Sequence, residues 1–333
     1  MKTIHAKRFL SLCTIGTLTV LALGGTERKG NVERLSRELD QIVPTSATVE
    51  KLAGDFKFVE GPVWIPTGFL LFSDIPPSII YKWVPGGKPS IYRGSGEFTG
   101  KDDATSAVAG TNGLTLDKQG RLTICDQGNR RIVRLESHGN LTVLADRYQG
   151  KRFNSPNDLA YRSDGSLYFT DPPYGFAKED QDPRKEQPYN GVYRVIDGKV
   201  QLLVKDMIRP NGMAFSPDEK FLYIDNSEPN KIYRRYPVNP DGTLGTGIVF
   251  CDMNSSPGEG VPDGMKVDQE GNIYGTGPGG VWIISPQGKH LGTIPLPEVP
   301  ANCAWGDADA RALYITASTG LYRIRLTIPG VRP

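Results

Sequence analysis

The chain has 333 residues with 39 Gly and 26 Pro, and its 39 basic and 37 acidic side chains leave a formal net charge of +2. That much Gly and Pro disfavours a helical protein and fits many short strands joined by turns. No tract of one sign stands out, which leaves no footing for nucleic acid or an anionic membrane surface as partner.

At the N-terminus Lys2, Lys7 and Arg8 precede an apolar run over 9–23 that ends in Gly24-Gly25. A basic head, a short apolar middle and small residues describe a secretory signal peptide over 1–25. The expected location is therefore periplasmic or secreted, with no membrane attachment once the leader is removed. A retained anchor is the second reading, although the run is short for a membrane span. Cys13 follows Leu12 early in the run and makes a poor lipoprotein cysteine. Residues 26–48 form an extension in which 32–42 (VERLSRELDQI) carries Leu35, Leu39 and Ile42 at helical spacing, predicting a short capping helix. Residues 49–52 predict a strand that closes a ring of repeats by completing the last one.

From there to the C-terminus one grammar recurs. Six segments open on a polar residue and continue into small or apolar ones: Glu60-Gly-Pro-Val-Trp, Asn112-Gly-Leu-Thr-Leu, Asn157-Asp-Leu-Ala-Tyr, Asn211-Gly-Met-Ala-Phe, Asp263-Gly-Met-Lys-Val and Asn302-Cys-Ala-Trp-Gly. Each runs into a turn such as Asp117-Lys-Gln-Gly, Ser163-Asp-Gly or Asp268-Gln-Glu-Gly, with Gly or Asp where the backbone bends tightly. A second strand follows (Leu70-Leu-Phe, Leu122-Thr-Ile, Leu167-Tyr-Phe, Leu222-Tyr-Ile, Ile273-Tyr-Gly, Leu313-Tyr-Ile), and usually a third, such as Arg131-Ile-Val-Arg-Leu. The starting positions are separated by 52, 45, 54, 52 and 39 residues. Units of that length with three or four strands predict an all-β, six-bladed β-propeller over 49–333.

Because each blade is a rotated copy of the next, the six opening residues face one end of the central channel if the first strand is innermost. Glu60, Asn112, Asn157, Asn211, Asp263 and Asn302 then form a ring of two carboxylates and four amides. Hard oxygen donors of this kind suit Ca²⁺ or Mg²⁺, and less well Mn²⁺ or Zn²⁺. A competing reading treats Asn112-Gly, Asn211-Gly and Asp263-Gly as turn dipeptides. It accounts poorly for Glu60, Asn157-Asp and Asn302-Cys.

Other chemistries find little support. His5 lies in the leader, and His138 and His290 stand near Gly in expected turns. A Ser-His-Asp triad, a Cys-His pair and a His-ligated zinc are thereby disfavoured. Cys125, Cys251 and Cys303 are too few and too scattered for a disulfide framework and read as small buried residues. Gly275-Thr-Gly-Pro-Gly-Gly matches a dinucleotide fingerprint in form only, since it leads into the strand Val281-Trp-Ile-Ile. Without histidine, catalysis at the ring would rest on a divalent metal that polarises a carbonyl or phosphoryl oxygen, with a carboxylate taking a proton from water.

The chain resembles the senescence marker protein, gluconolactonase and luciferin-regenerating family over about 49–326, and most its bacterial gluconolactonases. The resemblance is carried by Glu60-Gly-Pro-Val-Trp with Leu71-Phe-Ser-Asp, and by Arg152-Phe-Asn-Ser-Pro-Asn-Asp with Tyr168-Phe-Thr-Asp-Pro-Pro-Tyr-Gly. Arg209-Pro-Asn-Gly-Met-Ala-Phe-Ser-Pro-Asp and Pro262-Asp-Gly-Met add to it. It implies a six-bladed propeller that binds one divalent metal and hydrolyses lactones. By motif, Glu60, Asn211 and Asp263 match metal ligands, Asn157 completes the site or touches substrate, and Asp263 doubles as general base. Asp171 and Tyr174 fall where the family lines its substrate pocket, though a rigid Pro-Pro turn explains them equally. Arg152 stands five residues before Asn157, unlike the compact Arg-Phe-Asn-Asp of some members, and matches a substrate arginine only loosely. The implied reaction is hydrolysis of a small lactone such as glucono-1,5-lactone, with Asn112 and Asn157 contacting sugar hydroxyls. Phosphotriester or aryl-ester hydrolysis at the same site, and a non-catalytic secreted binding propeller, are the alternatives.

Overall fold

The computed structural model describes residues 31–94 and 110–333, so the expected leader and the segment 95–109 lie outside the described residues. Among the described residues six antiparallel sheets of four or five strands follow one another along the chain, each starting at an inner strand and stepping outward, with a separate two-stranded ribbon pairing Arg147–Tyr148 with Lys151–Arg152. The inner strands are Val59–Ile65, Thr111–Leu116, Leu159–Tyr161, Pro210–Phe215, Met265–Val267 and Pro300–Gly306. They begin blades I to VI, and each pairs with the second strand that the Leu-Tyr grammar marks. The turns between them form as their residues dictate. In Asp117-Lys-Gln-Gly, Asp117 Oδ1 accepts from Gln119 N at 3.0 Å, while Gly120 takes φ of 73°. Glycine meets that conformation without strain.

The repeated aromatic of the second strand acts between blades. Tyr168 of blade III meets Phe215 of blade IV edge-on at 5.0 Å, and Tyr274 of blade V meets Trp305 of blade VI at 4.8 Å. Tyr314 of blade VI stacks on Trp64 of blade I at 5.4 Å, closing the circle. Each pair adds about 0.5–1.5 kcal/mol beyond simple burial. A second closure is covalently distant: Glu50–Ala53 forms the outer strand of blade VI by pairing with Gly320–Arg325. The strand expected at 49–52 is thus present, one residue further along.

The helix expected over 32–42 does not form. Glu33–Arg34 instead adds a fifth strand to blade V, against Thr293 and Gly292, and only one helical turn remains at Leu39–Ile42. The apolar spacing there served a different purpose. Leu39 and Ile42 are buried in the core between blades V and VI, while Leu35 is 54% exposed. Sheet pairing outcompetes a short isolated helix, whose nucleation is costly. Cys125, Cys251 and Cys303 are free and buried. The glycine-rich stretch at 275–280 is the hairpin between Ile273–Gly277 and Gly280–Ile284. His138 lies in a turn, but His290 begins the fourth strand of blade V and stacks on Trp282 with centroids 3.5 Å apart. Among the described residues no helix is long and apolar enough to cross a membrane.

Candidate active site at the channel mouth

The six opening residues lie on or just before inner strands, not in hairpin turns. A bulge interrupts the pairing between Glu60 and Val63, Thr111 and Leu114, Pro210 and Met213, and Pro300 and Asn302. Bulges re-aim side chains, and here they occur where the ring residues stand. The glycines that follow have a steric reason. A Cβ on Gly61 would lie 2.2 Å from Asn112 O, one on Gly113 2.5 Å from Asn157 O, and one on Gly212 2.1 Å from Asp263 O. Neighbouring inner strands approach too closely for any side chain. The Asn-Gly and Asp-Gly pairs therefore mark inter-blade contact, and the turn reading is overturned.

Five of the six ring residues are buried, and Asp263 keeps part of its surface accessible. Asn302 Nδ2 donates to Glu60 Oε2 at 2.9 Å and lies 3.5 Å from Asp158 Oδ2. Its Oδ1 accepts from Cys303 N at 2.8 Å and from Lys266 Nζ at 3.4 Å, so its orientation is held from both sides. Gly61 N donates to Glu60 Oε2 at 2.6 Å. Asn112 Nδ2 donates to Gln127 Oε1 at 2.8 Å, and Asn211 Nδ2 to Ser227 Oγ at 3.0 Å. Asp263 N donates to Thr276 Oγ1 at 2.8 Å.

Two acids that sequence reasoning passed over join this group. Asp158 occupies the position taken by glycine in blades I, II, IV and V, and is buried. Asp225 stands on the second strand of blade IV, where the other blades carry Ser73, Cys125, Thr170, Thr276 and Thr316. Ser73 and Thr170 each donate to the ring-residue carbonyl of the next blade, Asn112 O and Asn211 O, at 2.7 Å. Asp225 is fully buried; its Oδ1 accepts from Gly212 N at 3.2 Å and its Oδ2 has no partner. Alignment of the second strands would have exposed this odd carboxylate among hydroxyls and a thiol.

Crowding and burial raise the proton affinity of three of these acids, Glu60, Asp225 and Asp263. Burial pushes Glu60 up to about 7, and Asp158 adds to the effect, against Gly61 N–H, Asn302 and Lys266. Burial, then the charges of Glu60, Asp225 and Asp158, hold Asp263 well above the usual carboxylate range. Asp225 is raised well above its ordinary value by burial, Asp158 and Glu60. The mouth thus favours a proton or a cation.

The remaining expected residues are Tyr174, Asp171 and Arg152. Tyr174 is partly exposed beside Ser227 and Asp263, with its phenol pushed up chiefly by burial. Asp171 is fully buried, accepts from Asn154 N at 2.7 Å and is pushed up to about 7 by burial. Arg152 donates through Nη2 to Asn129 O at 2.9 Å, and its backbone N–H donates to Glu186 at 2.8 Å. Among the described residues no group of three or more Asp, Glu, His or Cys is arranged as a metal cluster.

The SMP-30/Gluconolactonase/LRE-like family model matches residues 58–319. A gluconolactonase of Zymomonas mobilis is 38% identical over 309 residues, covering 89% of this chain and 86% of that protein. The solved gluconolactonase of Xanthomonas campestris superposes with a TM-score of 0.77 at 30% identity, over 90% of this chain and 96% of that one. A regucalcin from Agrobacterium tumefaciens, described as calcium-binding, shares the fold with a TM-score of 0.67 at 20% identity, over 84% and 93% of the two chains. A six-bladed ring with an acid- and amide-lined mouth, matched along most of its length by gluconolactonases, belongs to the SMP-30/gluconolactonase/LRE-like family and is a lactone hydrolase acting on cyclic esters.

Proposed function

We propose that this chain hydrolyses a sugar lactone of the glucono-1,5-lactone type to the aldonic acid at the channel mouth, with one divalent metal, Ca²⁺ by donor chemistry. The observation that carries the proposal is the convergence of Glu60 and Asp263 with two further buried acids, Asp158 and Asp225. Lys266 is the cation that offsets Glu60 and Asp225. The donor set fits a hard cation: two carboxylates and two amide oxygens, beside the buried Asp225 Oδ2, which has no hydrogen-bond partner. Glu60, Asn157, Asn211 and Asp263 would hold the ion, most of the oxygens beyond the two acids coming from amides. When bound, it supplies Lewis acidity toward a carbonyl oxygen.

The chain's own residues do the rest. Asp263, with raised proton affinity and an accessible face, is the base that takes a proton from the attacking water. The water oxygen bonds to the lactone carbonyl carbon, the ring C–O bond breaks, and the proton ends on the released ring oxygen. Asn302 fixes Glu60 through Oε2. Asn112, Asn157, Tyr174 and Arg152 contact sugar hydroxyls, since amides and phenols both donate and accept. Asp171 buttresses the turn behind Tyr174 by holding Asn154 N. The residue pattern of 1–25 supports export to the periplasm or medium, which N-terminal sequencing of the mature protein tests.

The decisive assay is turnover of glucono-1,5-lactone by the wild type and Asp263→Ala, with and without chelator. Loss of turnover in both the variant and the chelated enzyme is expected. Turnover that survives both treatments would sink metal-assisted catalysis by Asp263.

A further inference from the structure

Two ring amides are held by the same local device. In blade II, Asn112 Nδ2 donates to Gln127 Oε1 at 2.8 Å, and in blade IV, Asn211 Nδ2 donates to Ser227 Oγ at 3.0 Å. Gln127 and Ser227 occupy equivalent places. Each directly follows the residue, Asp126 or Asn226, that faces Thr111 or Pro210 across the blade's first pairing. Gln127 is buried, as is Asn112. With its NH₂ group spent on Gln127, Asn112 leaves Oδ1 as its other face, and that oxygen is buried without a hydrogen-bond partner. A buried acceptor left unpaired is costly. An oxygen held in this place is stabilised only when the occupant brings a donor or a cation.

We propose that Gln127 is a positioning residue that locks the Asn112 amide with its oxygen toward the channel, so that Asn112 accepts a hydrogen bond from a hydroxyl of a polyhydroxylated lactone. This rests on the lactonase reading above. Gln127 acts through Asn112, and Gly175 packs close to it: a Cβ on Gly175 would lie 3.1 Å from Gln127 Cγ. The mouth thereby favours lactones that carry ring hydroxyls, because an occupant without a donor would leave Asn112 Oδ1 unpaired.

Two substitutions separate orientation from bulk. Gln127→Met has nearly the same shape and no acceptor, so the amide is released. KM for glucono-1,5-lactone should rise about tenfold with kcat within about twofold, the pattern of lost uniform binding. Gln127→Glu can only accept, and it forces Asn112 Nδ2 toward position 127; it should recover most of that KM loss. An equal or larger KM in Gln127→Glu overturns the proposal, because it means the amide must present NH₂ to substrate. A fall in kcat at constant KM, or equal damage in both variants with a lowered melting temperature, also overturns it as a merely structural effect. A wild type that does not turn over the lactone removes the lactonase reading itself, whereas an active wild type with unchanged variants removes only the role of Gln127.

Discussion

At the mouth, where the inner strands begin, the channel is lined by Glu60, Asn112, Asn157, Asn211, Asp263 and Asn302, with Asp158 and Asp225 close behind. At the far end four of these strands finish in Leu116, Tyr161, Phe215 and Val267 around a cavity of about 310 Å³, with Val331 on its wall. The chain's last segment crosses this end: Val331 N donates to Val267 O at 2.9 Å, and Gly330 N to Ala310 O at 2.8 Å. One end concentrates charge that raises its own proton affinities. The other mixes apolar side chains with the charged Asp117, Arg162, Glu219 and Lys266, and ties down backbone groups of the last segment. The contrast shows how a repeated scaffold can differ between its ends: carboxylates and amides that repel or lack partners crowd the mouth, whereas opposite charges and apolar side chains mix at the far end.

The sharpest way to break this contrast is Asp263→Ala. We expect kcat for lactone to fall about a thousandfold, while the melting temperature of the metal-free protein stays level or rises because a carboxylate repelled by Glu60, Asp225 and Asp158 is gone. A large loss of stability would show that the mouth also holds the fold.

Asp171 extends the same logic to pH. Its folded value of about 7 lies above the ordinary 3.8, so between these values the folded chain holds a proton that the unfolded chain has lost. Its stabilising contribution is complete below about 4 and disappears as pH rises through about 7, a change on the order of 4 kcal/mol. Asp171→Asn keeps an acceptor for Asn154 N and should flatten the fall in stability between pH 4 and 7, as read by denaturant melts. An unchanged slope would remove Asp171 as its source.

At the far end, a Cβ on Gly330 would lie 1.8 Å from Trp305 Cγ. Gly330→Ala should destabilise by about 2 kcal/mol through overpacking and leave KM for lactone unchanged. Altered KM in the folded variant would mean that the two ends are mechanically coupled.

Lys266 sits between the ends, lining the far cavity while donating to Asn302 Oδ1 at 3.4 Å. Lys266→Met should lower kcat/KM about tenfold by loosening the Asn302 hold on Glu60, the smallest of these effects. Full activity would confine the machinery to the mouth.

The blade count, the closing strand and the ring positions were legible because each blade must repeat a period of turn, strand and apolar face to pack on its neighbours. The steric role of the paired glycines was not legible, since Asn-Gly serves both a turn and a close approach. The residues 32–42 misled for a related reason. Leu39 and Ile42 needed burial, and a strand followed by a single turn met that need as well as a helix would.

By itself the sequence determined the six-fold repeat, the family and the set of acids and amides at the strand starts, because these follow from local pattern and residue chemistry. Only the tertiary structure decided that Asp158 and Asp225 join the mouth, that Asn302 is clamped between Lys266 and Glu60, and that Gln127 orients Asn112. Those relations run between blades or across a bulge. They depend on how far the inner strands approach one another, a distance that no single segment encodes.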